Sequence, residues 1–186
     1  LVSSSAASDV YKRQGVKVTG VEGSDRIASL DDENAHEVLI NMMRKEMDIW
    51  LGEQARLSEA GDKILITAGE NTVEVDKVLV AIGRKPNLEN LGLDKLDLAL
   101  DDNGMPVFDP NTMQLGDLPV YIAGDVNGTK QILHEAGDEG KIAGYNAAHS
   151  SSVAFKRKTP LSITFCDPNV TTVGQPWSEL KDNEDV

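Results

Sequence analysis

Apolar and polar positions first settle into a pattern at residues 16–21, where Val16, Val18 and Val21 alternate with Lys17, Thr19 and Gly20. Alternation rich in β-branched residues predicts a strand, and it ends on Glu22. From residue 31 the period lengthens. Three acids, Asp31, Asp32 and Glu33, precede Ala35, Val38, Leu39, Met42 and Met43 at helical spacing. Acids suit the positive end of a helix dipole, so residues 31–47 are predicted to form an amphipathic helix. Four short runs follow at 49–51, 55–58, 63–68 and 72–75, with turns at Ala60-Gly61-Asp62 and Gly69-Glu70-Asn71, and read as a meander of strands. Residues 78–82 are continuously apolar, which predicts a strand covered on both faces.

A second short apolar run, Pro119-Val120-Tyr121-Ile122, breaks sharply at Ala123-Gly124-Asp125. It predicts a buried strand with Asp125 at its carboxyl end, where open α/β sheets bind ligands. Gly124, without a Cβ, lets a backbone or a ligand come close. A loop then feeds a long helical pattern from about Gln131. Ala136, Gly140, Ala143, Gly144 and Ala147 recur at spacings of three or four and so share one face. Such a smooth face suits close packing against a sheet or a flat ring. Ser150-Ser151-Ser152 marks a boundary, and Lys156-Arg157-Lys158 reads as a solvated basic linker.

Charge narrows the partners. The net charge of −13 opposes binding to nucleic acid or an anionic membrane surface. It does not oppose dinucleotides, which are held by local amides. No apolar run reaches the length of a membrane span. One cysteine, Cys166, excludes an internal disulfide framework and fits a reducing, cytoplasmic setting. Residues 1–14 stand apart: a serine-rich run and a basic Tyr11-Lys12-Arg13-Gln14 open an otherwise acidic chain. They resemble translated adaptor sequence and are set aside from the expected fold. The scattered His36, His134, His149 and Cys166 lack metal-ligand spacing.

Tyr121-Ile122-Ala123-Gly124-Asp125, followed by Ile132-Leu133-His134-Glu135-Ala136 and Asp138-Glu139-Gly140, resembles the second flavin motif of the flavoprotein pyridine nucleotide-disulfide oxidoreductases of class I, most closely dihydrolipoyl dehydrogenases. Ala81-Ile82-Gly83-Arg84-Lys85-Pro86-Asn87 resembles that family's return segment between its two dinucleotide domains, and residues 162–174 resemble the opening of its dimerisation domain. The resemblance implies an α/β chain: part of a two-dinucleotide-domain fold with Rossmann-like layers and a small meander, plus the start of an α+β dimerisation domain. It implies the end of an NAD domain over 15–83, the end of an FAD domain over 84–150, and the dimerisation start over 160–186.

The resemblance also implies roles. Asp125 would bind the flavin ribityl chain, with Gly124 allowing close approach. The helix start at Ile132, Leu133 and His134 would face the isoalloxazine ring. Glu22 would accept the adenosine ribose hydroxyls of NAD, and the backbone near Gly83 would approach the nicotinamide. On its residues alone, Glu22 also reads as a solvated strand end and Arg84 as a surface cation paired with nearby acids. The implied cofactors are FAD and NAD, the substrate a small or lipoyl-bearing dithiol, and the full-length assembly a homodimer. A redox cysteine pair and a His–Glu base are absent from this chain, so no catalytic residue is assigned. The chain is expected to be a piece of a longer enzyme, inactive alone and holding FAD weakly or not at all. Mercuric reductase-like or transhydrogenase-like chemistry, or a non-catalytic dinucleotide-binding module, remain as alternatives.

Overall fold

A computed structural model describes residues 4–182, with side chains from Asp9 onward. The chain divides into two compact units. One comprises residues 1–82 and 159–186, the other residues 83–158.

In the first unit, helix α1 (Ser4–Arg13) precedes strand β1 (Thr19–Glu22), helix α2 (Glu33–Met43) and strand β2 (Asp48–Leu51). β1 and β2 pair in parallel, with Glu22 opposite Leu51. A helix linking two parallel strands is the crossover such pairing requires. The carboxylate of Asp32 caps α2, accepting from the Ala35 amide at 2.7 Å. The face α2 buries is His36, Leu39 and Ile40, while Val38 and Met42 are exposed. The apolar periodicity therefore located the helix but misplaced its inner face by one residue.

Strands β3 (Arg56–Ala60), β4 (Lys63–Ala68) and β5 (Asn71–Val75) form an antiparallel meander, whereas the first of the four expected runs, 49–51, lies in β2 and pairs with β1 instead. Residues 78–82 are not a strand, contrary to the sequence expectation. Val78 is half-buried and residues 79–82 are exposed, with Ile82 94% accessible. An apolar run becomes a buried strand only if a ladder partner exists, and among the described residues none pairs with it. Strands β6 (Leu161–Thr164) and β7 (Val170–Val173) form an antiparallel hairpin, and a short helix α4 (Trp177–Leu180) follows. Its Ser178 amide donates to Asp31 at 2.7 Å.

The segment set aside on composition is held by charge pairs. Asp9 is buried; Lys12 bonds it at 2.7 Å and also reaches Glu46. Arg13 bonds Asp9 at 2.8 Å and Asp167 at 2.9 Å. The Lys12 ammonium lowers the Asp9 pKa against the opposing effect of burial.

The second unit is built on one long helix, α3 (Leu133–Ala147). Its core holds Met113, Leu115, Ile122 and Ile142. The stripe α3 turns inward is Glu135, Glu139, Ile142 and Asn146, which is mostly polar. Part of the small-residue face of α3 is left open rather than packed against a sheet. Gly140, Gly144 and Ala147 are exposed, and a methyl group added at either glycine would meet nothing within 4 Å. Ala143 is half-buried, and Ala136 lies close to Gly124. The buried stripe won because Glu139 and Asn146 have specific polar partners to satisfy, described below.

Among the described residues, no helix is long and apolar enough to cross a membrane.

Candidate functional site

The run 119–122 forms a minimal ladder rather than a full strand. Ile122 donates to the Met113 carbonyl and Leu115 to the Val120 carbonyl, each at 2.9 Å. The short reach follows from Pro119, which has no amide to donate. The chain leaves this ladder at Gly124, with φ 81° and ψ −162°. Only glycine occupies that region without strain. A Cβ there would lie 3.3 Å from the Ala136 Cβ, so glycine also lets α3 come close.

Asp125 opens a single 3-10 turn, Asp125–Asn127. Its side chain is 44% exposed and its Oδ2 pairs with the Arg84 guanidinium. The second Arg84 nitrogen donates to the Gln131 carbonyl at 3.1 Å. Gln131 in turn donates from Nε2 to the carbonyls of Asp125 and Arg84, at 3.4 and 3.5 Å. Arg84 is therefore paired with an acid, as its residue-level reading anticipated, and that acid is the candidate flavin ligand.

α3 starts beside this turn. Ile132, its N-cap, has no side chain able to cap the first turn. Leu133 is 79% exposed, His134 is exposed and Ile132 is half-buried. The site thus offers a half-exposed carboxylate, an apolar surface and the positive end of a 15-residue helix. That donor set suits a polyol next to a flat ring that accumulates negative charge. A carboxylate has two oxygens, and one of Asp125's is engaged by Arg84.

Beneath the turn lies a network that sequence reasoning missed. Glu139 is 2% exposed. Its Oε2 accepts from the Gly124 amide and from Asn127 Nδ2, each at 2.7 Å. Its Oε1 accepts from Arg157 at 3.2 and 3.3 Å. Arg157 also bonds Glu135 at 2.7 Å. The Lys156-Arg157-Lys158 patch is accordingly not a solvated linker throughout. Arg157 turns inward because two buried carboxylates require a counter-charge. The available signal was Glu135 and Glu139 at i and i+4, in phase with Ile142 on a stripe that should be apolar.

Glu22 and Gly83 belong to different units. Glu22 ends β1, is exposed, and accepts from the Ser24 amide at 3.0 Å. It stands at the carboxyl end of a parallel pair, the usual ligand edge of such sheets. Gly83 is exposed with φ 108°. Cys166 is half-buried in the β6–β7 turn, donating to the Pro168 carbonyl at 3.0 Å. Burial raises its thiol pKa, with the Asp9 charge adding to the effect.

Comparison with known proteins agrees with this arrangement. The family model for pyridine nucleotide-disulphide oxidoreductases matches residues 2–151. Dihydrolipoyl dehydrogenase of Chlamydia muridarum is 30% identical over 168 residues, covering 89% of this chain and 36% of that protein. LpdA of Mycobacterium tuberculosis superposes with a TM-score of 0.79 at 27% identity, over 94% of this chain and 39% of the other. A water-forming NADH oxidase of Lactobacillus brevis, solved with NADH, shares the fold at a TM-score of 0.78 and 19% identity. The chain spans well under half the length of the relatives it matches. With a family model covering most of its residues and the Gly124–Asp125 turn docked on α3, the chain belongs to the pyridine nucleotide-disulphide oxidoreductase family.

Proposed function

We propose that this chain is the flavin- and nicotinamide-binding part of an FAD-dependent oxidoreductase that passes electrons between a dithiol and NAD, most closely a dihydrolipoyl dehydrogenase. The observation that carries this reading is the half-exposed Asp125 carboxylate at the start of α3, set by a glycine whose backbone a larger residue would strain. In this reading Asp125 accepts a ribityl hydroxyl. Gly124, Ile132, Leu133 and His134 form the surface beside the ring. The helix dipole of α3 favours the charge that a reduced ring carries.

Glu22 is the nucleotide-selecting residue of the same proposal. Its exposed carboxylate accepts the two ribose hydroxyls of NAD and repels a 2′-phosphate. Gly83, with its backbone open to approach, takes the nicotinamide side. FAD, when bound, supplies the two-electron chemistry; the protein's part is to position the cofactors. The redox cysteine pair and general base of the whole enzyme belong to residues other than these 186, since Cys166 is the only cysteine present. The domain assignment follows: 15–83 for NAD, 84–150 for FAD, and 160–186 for the dimer contact.

The test is a titration of the complete enzyme with FAD, with quenching of flavin fluorescence as the readout. Replacing Asp125 by Ala removes a hydrogen bond to a charged group and weakens binding by about 1.5–3 kcal/mol. Equal affinity in the two proteins removes Asp125 from the site. A bare dinucleotide-binding module, which predicts a single cysteine just as a piece of a longer enzyme does, is separated by the complete gene: it would carry no C-x-x-x-x-C upstream.

A further inference from the structure

Asp125 is held by a turn whose conformation is not intrinsically stable. Gly124 sits in a backbone region that only glycine tolerates. Its amide is buried and must be paired. The partner is a side chain, Glu139, fifteen residues further along. The same carboxylate oxygen fixes Asn127, the last residue of the turn. Asn127 is itself oriented, because its Oδ1 accepts from the Thr129 amide at 3.0 Å and the Thr129 hydroxyl at 2.7 Å. Both ends of the Asp125 turn therefore rest on one buried carboxylate.

A buried carboxylate is an expensive way to support a turn, and an apolar side chain of like volume often stabilises a core more. Here Glu139 is made tolerable by Arg157, whose guanidinium meets Glu139 and Glu135 together. The charge does something a leucine cannot: it accepts two donors from the turn while the opposite oxygen is clamped. The helix thus sets the position of the turn to the accuracy of a hydrogen bond.

We propose that Glu139, fixed by Arg157, is the positioning residue that holds Asp125 in its ligand-binding geometry. This rests on the flavin reading of Asp125. It assigns to the pair a role in cofactor affinity beyond support of the core.

The experiment compares the 186-residue chain with its Asp125→Ala, Glu139→Gln and Arg157→Lys variants. FAD binding is read by flavin fluorescence quenching with the same substitutions made in the complete enzyme, and amide exchange is read by NMR on the 186-residue chain without FAD. In Glu139→Gln the Gly124 amide is expected to exchange about tenfold faster or more, with the Ile142 amide of the same helix within about twofold of its original rate. FAD affinity should fall about tenfold or more in both Asp125→Ala and Glu139→Gln.

A loss of affinity in Asp125→Ala alone, with Gly124 exchange unchanged in Glu139→Gln, overturns the positioning role and leaves the flavin reading standing. Equal rises at Gly124 and Ile142 also overturn it, since they show a general loosening. Binding indifferent to Asp125→Ala overturns the flavin reading; the local exchange at Gly124 then decides whether Glu139 sets the turn. Should Glu139→Gln not fold, Arg157→Lys keeps the charge but loses the fork. Faster Gly124 exchange in that variant supports the role, and an unchanged rate overturns it.

Discussion

Arg84 grips Asp125 across 41 residues of sequence, and its second nitrogen is bonded to the Gln131 carbonyl that leads into α3. One cation therefore links the segment after Gly83, the candidate flavin carboxylate and the start of the helix. Both side chains are about half exposed, so solvent screens the attraction. The contact is better understood as orienting Asp125 than as stabilising the unit.

That distinction is measurable. Replacing Arg84 by Met is expected to change unfolding stability by less than about 1 kcal/mol. Urea unfolding followed by circular dichroism would show it. A loss above about 2 kcal/mol would mean the pair is effectively desolvated and the exposure misleading.

Much of the fold was legible because local periodicity and tertiary burial agreed. β1, α2 and the β3–β5 meander fell within a few residues of their expected limits. Disagreement appeared where a segment's state depends on partners distant in sequence. Residues 78–82 have strand composition but no strand beside them among the described residues. The inward stripe of α3 carries Glu135, Glu139 and Asn146, which a hydrophobic pattern assigns to solvent. Asp125 was legible from its place after a Gly at a strand end. Glu139 and Arg157 were not, because their pairing exists only once α3 has docked under the turn and the segment from residue 153 onward has folded back over it.

The 186-residue chain is expected to form no NADH from dihydrolipoamide and NAD. Thiol–disulfide exchange to a flavin requires two neighbouring thiols, and the chain carries one. NADH absorbance after addition of dihydrolipoamide, NAD and FAD checks this. Thiol-dependent NADH formation above the protein-free rate would show that a different group accepts the electrons.

Cys166 should be a slow nucleophile. Burial is the first cause raising its pKa, the Asp9 charge adds, and the Val170 amide and Lys12 only partly oppose. The thiolate is the reactive form, so alkylation by iodoacetamide at neutral pH should be slower than for a free thiol. The linkage has a definite sign. The folded chain keeps the proton to higher pH than the unfolded chain. The contribution to stability is therefore complete below the ordinary thiol value of about 8.5 and is lost as pH rises through the folded value. Alkylation as fast as that of a free cysteine would contradict the buried environment.

Asp138 gives the opposite sign at the other end of the scale. Lys158, bonded at 2.6 Å, holds its carboxyl below the usual range, with Lys141 assisting and burial opposing. Its contribution is present above the unfolded value of about 3.9 and lost as pH falls through the lower folded value. An NMR titration of the Asp138 carboxyl carbon should show a midpoint that rises in Lys158→Ala. A midpoint unmoved by that change would leave Lys158 without effect on it.

Asn146 offers the sharpest stability test. It is 0% exposed and completes three hydrogen bonds: its Nδ2 donates to the carbonyls of Thr112 and Val153 at 3.0 Å, and its Oδ1 accepts from the Val153 amide at 2.9 Å. These bonds fasten α3 to the segment before Met113 and to the one that carries Arg157. Removing the side chain leaves the carbonyl of buried Thr112 without this partner and strips two bonds from the more exposed Val153, a group left unpaired costing about 1–3 kcal/mol where water does not reach it. Asn146→Ala is expected to destabilise the second unit by about 2–4 kcal/mol, while the β3–β5 meander keeps its amide protection. Denaturant unfolding with residue-resolved exchange separates the two. A cost below about 1 kcal/mol would mean that water enters and takes over the three bonds, and that α3 is docked chiefly by the Glu139–Arg157 contacts.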